Sequence, residues 1–396
     1  MISRLRRRGA LVAILLALGG LLPGNAAAAG PAVDARAWAL IDARSGDVLA
    51  SHAGEERLPI ASTTKLMTAY VALRELPLER IVRAAPYSAI YGESLLELKP
   101  GERISVRDLL YGLILRSGND AAYDLALAAA GSEDRFVRQM NRYAAALGLA
   151  DTHYANPVGL DEVGNYSSAR DLATLSRRLL RDPAFARIAA ARSARLRSLR
   201  PRRTIETLND LLYRAPWTTG VKTGHTFGAG YVLVASGQRD DVKLISVVIG
   251  TPTETERDLA SLRLLEYGFS RYRSRLPVQR GEILAEPSIR YRDDELPLRA
   301  DFGPTIGVRA DQQLSVEVRA PGEVEGPIRR GVRLGTATVF VDHRPTALVP
   351  LLASRGVPEA GALDRARSLL GADPVPIAVA ICVILVGAVL LRRFAR

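Results

Sequence analysis

Cysteine is nearly missing from this chain. The one copy, Cys382, lies in an apolar run near the C-terminus. No disulfide can form in the body of the chain, and a cysteine nucleophile or cysteine-ligated zinc is excluded there. Stability must come from core burial, which 396 residues allow. Lysine-rich runs are absent, and basic residues are not interleaved with aromatics, so no nucleic-acid site is read. The net charge of +12 sits largely at the two ends. Arg4, Arg6, Arg7, Arg8, Arg392, Arg393 and Arg396 account for more than half of it. No internal repeat is found, and no metal-ligand cluster is called.

The ends themselves are informative. A basic start precedes an apolar run from Ala10 to Leu22, then Pro23-Gly24 and the small residues Ala26 to Ala29. This predicts a secretory signal over 1–29, with an uncleaved anchor as the alternative. Val375 to Leu391 is uncharged and is followed by Arg392-Arg393. It predicts a single membrane span over 375–391 with a cytoplasmic tail, 392–396. A buried hydrophobic helix is the other reading. Signal and span together place everything between them outside the cytoplasm.

Between the ends, two strands come early, at Trp38–Asp42 and Asp47–Ala50, and three late, near 220–224, 231–236 and 242–249. Helices fill the middle, with Ser105, Ser132 and Ser168 as starts. The pattern predicts an α+β catalytic domain over 30–275: a mixed five-stranded sheet with a helical insert and a cleft between the halves. From 276 to 353 the helical period disappears, and short alternating runs predict a small all-β domain. Residues 354–374 read as a linker to the transmembrane helix.

One stretch carries the chemistry: Ala61-Ser62-Thr63-Thr64-Lys65-Leu66-Met67. Ser62 opens a helix in apolar surroundings and Lys65 lies on the same face at i+3. A lysine so placed is pushed toward its neutral form and can take a proton from serine. A serine cap followed by a snorkelling lysine is the plain alternative. Two further elements bear on the choice. Ser117-Gly118-Asn119 interrupts two apolar helices, and Lys222-Thr223-Gly224 lies on a strand that should face the cleft. Alone, the first reads equally as a helix-breaking turn and the second as a surface strand end. In this order, the three correspond to the Ser-x-x-Lys, Ser-Asp-Asn and Lys-Thr-Gly set of β-lactamases and penicillin-binding proteins, with Gly118 where the middle element has aspartate.

The chain resembles the D-alanyl-D-alanine carboxypeptidases, the low-molecular-weight penicillin-binding proteins of bacterial cell walls. The likeness covers about Ala35 to Phe269 and extends to the segments 98–102, 153–160 and 166–171. It implies Ser62 as nucleophile and Lys65 as its base, with Ser117 as proton relay to the leaving amine. Asn119 would hold the substrate amide and support Lys65. Lys222, Thr223 and Gly224 would bind substrate, and His225 would contribute its backbone amide to the oxyanion hole. Arg257 matches an arginine that binds the terminal carboxylate; a solvated helix charge is its other reading. The implied substrates are peptidoglycan stem peptides ending in D-Ala-D-Ala, with β-lactams as inhibitors and no cofactor. The implied setting is the bacterial cell membrane, with the catalytic domain outside.

Three rival readings share parts of this pattern. A class A β-lactamase needs a deacylating glutamate, and the nearest string, Glu206-Thr207-Leu208-Asn209, is one residue short. An endopeptidase of the same fold has the same motifs. A catalytically silent wall-binding scaffold would not need the full set of reactive groups.

Overall fold

The computed structural model of the chain describes residues 31–362, 364, 365, 379, 383 and 384. The expected signal at 1–29 and nearly all of the expected span at 375–391 lie outside them. Among the described residues, no helix is long and apolar enough to cross a membrane. One compact unit ends at Tyr272 and a second begins at Arg273.

The first unit opens with β1 (Ala37–Asp42) and β2 (Val48–His52). A 3-10 turn at Ala61–Thr64 runs directly into α1 (Lys65–Glu75). A two-stranded ribbon, β3 (Ile81–Arg83) and β4 (Arg103–Ser105), encloses a long connection. Then come α2 (Val106–Leu115), α3 (Asn119–Ala130), α4 (Glu133–Ala146), α5 (Ala169–Leu179) and α6 (Pro183–Ala189). Ser105, Ser132 and Ser168 cap α2, α4 and α5 by accepting from the N–H three residues on. Gly131, at φ +78°, ends α3 in the left-handed region. The ribbon β5 (Ser193–Leu196) and β6 (Arg203–Glu206) and the single turn α7 (Leu211–Arg214) lead back to the sheet. There the chain forms β7 (Thr218–Thr226), β8 (Gly230–Arg239) and β9 (Val242–Thr251), followed by α8 (Glu254–Ser270).

The sheet order is β2-β1-β9-β8-β7, five strands drawn from both ends of the unit. Its four pairings are all antiparallel, which corrects the expected mixed sheet. The reason lies in the connections. The helical insert leaves the sheet at one edge, β2, and returns at the other, β7. No helix therefore links two neighbouring strands, as a parallel pair requires. Both faces are covered. Ala37, Ala39, Ile41, Val232, Val234, Ile245 and Val247 join the core of the helical insert. The alternate positions Trp38, Leu40, Leu233, Ala235, Leu244 and Val248 pack with Leu264, Leu265 and Phe269 of α8. This double burial is why β1 and β9 are mostly apolar at successive positions rather than strictly alternating.

The second unit has its own antiparallel sheet, in the order Ile283–Ala285, Leu298–Ala300, Arg344–Ala353, Arg333–Val341, Leu314–Arg319. Its core is built from Leu296, Leu298, Val339, Val349 and Leu351 among others.

Candidate active site

Ser62 lies in the 3-10 turn, and the regular helix starts only at Lys65. With three residues per turn, positions i and i+3 eclipse each other. Lys65 Nζ accordingly stands 2.9 Å from Ser62 Oγ. The turn is entered through Ala61 at φ +48°, a costly conformation for a residue with a Cβ. Two glycines let neighbouring chain close in on it. A Cβ at Gly159 would lie 2.1 Å from the Ala61 carbonyl oxygen, and one at Gly224 3.0 Å from Ser62 N. The leading N–H groups of a helical turn have no partner within it, so the turn does not consume the Ser62 N–H.

Lys65 is fully buried. Its Nζ also donates to the Val158 carbonyl at 2.5 Å. Asn156 shapes that loop: its Oδ1 accepts from Val158 N at 3.2 Å and Gly159 N at 2.7 Å. Thr68 Oγ1 donates to the Pro157 carbonyl at 2.6 Å and fastens α1 to the same loop. Burial drives the Lys65 pKa well below its ordinary value, and the positive charge of Lys222 pushes the same way. Glu93 and Asp120 act against this from a distance. Both hydrogen-bond partners of the amine are neutral oxygens.

Ser117 and Asn119 come from the turn between α2 and α3. Ser117 is buried at φ +57°. Asn119 N donates to the Ser94 carbonyl at 2.8 Å, and its Nδ2 to Glu93 Oε2 at 2.6 Å. Asp120 accepts from Leu96 N and Leu98 N at 2.8 and 3.0 Å. The turn is thereby stitched to residues 93–98.

Lys222 and Thr223 are buried on β7, beside Gly224. Lys222 Nζ donates to the Thr223 carbonyl at 2.7 Å. Burial, then the Arg257 charge, bring its pKa down to about 7. β7 is an edge strand, so one side of its backbone has no strand partner. His225 is exposed near its end, stacked on Tyr231 at 4.1 Å between centroids.

A family profile described as D-alanyl-D-alanine carboxypeptidase matches residues 24–253. D-alanyl-D-alanine carboxypeptidase DacC of Escherichia coli (strain K12) is 35% identical over 85% of this chain and 87% of its own length. DacF of Bacillus subtilis (strain 168) is 31% identical over 85% and 90%. The chain belongs to the D-alanyl-D-alanine carboxypeptidase family. Among solved structures, penicillin binding protein 5 from Haemophilus influenzae is similar at a TM-score of 0.58 and 29% identity, covering 86% of this chain and all of that one. Penicillin binding protein 6B from Escherichia coli is similar at 0.59 and 30%, covering 82% and 97%. A carboxypeptidase of this family is a serine peptidase, a hydrolase of peptide bonds.

Arg257 has a different setting from the other candidate site residues. It is 2% exposed. Its Nε and Nη2 donate to Asp258 Oδ1 at 2.9 and 2.7 Å, and Nη2 also to Glu254 Oε1 at 2.8 Å. It is a paired, buried cation whose charge reaches Lys222, not a solvated helix charge. Three participants carry no motif signal: the Val158 carbonyl, the Ala61 backbone and Glu93. The Asn156–Leu160 segment was visible as a family segment, but not the atom it presents. Gly92-Glu93 sits in a stretch without period.

Proposed function

We propose that this protein removes the terminal D-alanine from peptidoglycan stem peptides ending in D-Ala-D-Ala, through an acyl-enzyme on Ser62. The observation that carries the reading is the 2.9 Å contact between Lys65 Nζ and Ser62 Oγ, made by a buried amine with neutral partners. A neutral Lys65 takes the Ser62 proton as Oγ attacks the penultimate D-alanine carbonyl. The backbone amides of Ser62 and His225 hold the oxyanion; such a donor is worth about 100- to 1,000-fold in rate. Ser117 passes a proton to the departing D-alanine nitrogen. Asn119 holds the substrate amide. The free edge of β7 takes the substrate backbone by strand addition. Lys222, Thr223 and Gly224 lie along it, and Lys222 with Arg257 supplies positive charge for the terminal carboxylate. Water then releases the shortened peptide from Ser62. A β-lactam acylates the same oxygen because its ring amide presents the same carbonyl.

The proposed setting is extracytoplasmic. Residues 1–29 direct export, 30–275 act on the wall, and 276–353 and the linker 354–374 lead to a membrane tether at 375–391.

The test is incubation with a peptide ending in D-Ala-D-Ala. Free D-alanine appears with the wild-type protein and vanishes with Ser62→Ala. Well-folded wild type that releases none from several such peptides would falsify the reading.

A further inference from the structure

The long connection between β3 and β4 crosses beside the Ser117–Asn119 turn, and one side chain in it touches the site. Glu93 Oε2 accepts from Asn119 Nδ2 and from Tyr87 Oη, each at 2.6 Å. Its Oε1 accepts from Ile90 N at 2.9 Å. The connection is anchored on both sides of this clamp. Ala85 N donates to Asp124 at 2.8 Å, and Leu96 N and Leu98 N donate to Asp120. The Tyr87 ring leans on Tyr123 of α3, with centroids 5.5 Å apart.

We infer that Glu93 is a positioning residue for acylation, which fixes the Asn119 carboxamide in one orientation. The inference rests on the reading of Ser62 as nucleophile. A free carboxamide can turn over, and turning exchanges its donor and acceptor ends. An ionised carboxylate only accepts, so the end of Asn119 facing Glu93 must be the NH₂. One hydrogen of Nδ2 is then engaged, and the other hydrogen and Oδ1 are left for substrate and Lys65. Burial alone would raise the Glu93 pKa. Hydrogen bonds from Tyr87, Asn119 and Ile90 oppose this, and the group lies below its ordinary value. The clamp therefore stays ionised at neutral pH.

Substitution breaks this in a directed way. In Glu93→Gln, one terminal oxygen becomes a donor. It either meets the Ile90 N–H head-on or turns Asn119 over. Glu93→Ala leaves the carboxamide unheld. The probe is benzylpenicillin, and the quantity is its second-order rate of acylation at Ser62 as a function of pH. Both variants should lose about 10- to 100-fold, the worth of one hydrogen bond to a charged group. The groups whose charge reaches Lys65 are Lys222 from β7, Asp120 from α3 and Glu93. Removing the Glu93 charge makes Lys65 harder to protonate, so the acid limb of the rate moves to lower pH in Glu93→Gln. Glu93→Asp keeps the charge and leaves that limb in place, with a smaller loss of rate. Acylation of both variants within twofold of wild type overturns the inference. So does a loss of rate that tracks a fall in melting temperature with an unmoved acid limb, which is what a merely structural role gives. A wild type that is never acylated overturns the reading of Ser62 itself, before any change at Glu93 is made.

Discussion

Two buried basic side chains show what burial does and does not decide. Lys65 is 0% exposed and Arg257 is 2% exposed. Lys65 meets a hydroxyl and a carbonyl, whereas Arg257 meets the carboxylates of Asp258 and Glu254. A buried ammonium without a counter-charge is relieved by losing its proton. A guanidinium has no such escape and must be paired. The same desolvation thus produces a base in one place and a fixed charge in the other, and residue type matches the outcome. Lys222 lies between the two cases. Among the described residues its hydrogen-bond partner is a carbonyl, and its pKa comes to about 7.

The largest effect is expected where the two roles are exchanged. Lys65→Arg puts a permanent charge where a proton acceptor is needed. Acylation by fluorescent penicillin and D-alanine release should fall together by about 10²- to 10⁴-fold, the usual share of a general base. A variant that keeps even a tenth of the wild-type rate would show that the amine is not the acceptor. Next comes the opposite change, at the paired site. Asp258→Asn keeps an amide oxygen that can accept but removes the negative charge beside Nε and Nη2, leaving Arg257 only the half-exposed Glu254 as a counter-charge. Breaking a buried pair on one side costs roughly 3–5 kcal/mol. Thermal unfolding should move down by about 6–15 °C for a unit of this size. A loss below about 1 kcal/mol would mean that Asp258 does not hold the arginine charge, and the contrast with Lys65 would collapse.

The sequence carries the parts of this arrangement that depend on residue type and period. Ser105, Ser132 and Ser168 announce their helices because a cap needs a hydroxyl at one position. Ser62 and Lys65 stand out because their spacing brings them together in either kind of helix. What stays hidden is carried by backbone or by distance. A carbonyl such as that of Val158 belongs to every residue type, so nothing marks it as the acceptor for Lys65. The left-handed Ala61 is held by close approach at Gly159, far along the chain. Glu93 reaches Asn119 across 26 positions from a stretch with no period. Strand direction was also hidden, since alternation reports which face is buried and not which way the neighbour runs. The buried pairing of Arg257 was illegible for a related reason. Asp258 follows it directly on α8, and adjacent helical positions do not ordinarily face one another.

The smallest effect tests the intermediate case. Lys222 titrates at about 7 in the folded protein against 10.5 for an ordinary lysine. Between those values the unfolded chain binds a proton that the folded chain does not. Stability therefore rises with pH across that window, and the cost of Lys222 is fully present below it. Lys222→Met removes the group and the cost. The variant should be more stable than wild type by about 2 kcal/mol at about pH 6, short of the roughly 5 kcal/mol that the shift would allow without relaxation. Urea midpoints at about pH 6 and about pH 10 check this, and the gap should narrow at the higher value. A gap that does not change with pH would show that Lys222 carries no buried charge of this kind. The substitution also takes a positive charge from beside Lys65. Lys65 then holds its proton more tightly, so the acid limb of acylation should move to higher pH, opposite in direction to the shift in Glu93→Gln. The two displacements together bracket the base: one neighbour favours the neutral amine, the other the charged one, and neither touches it.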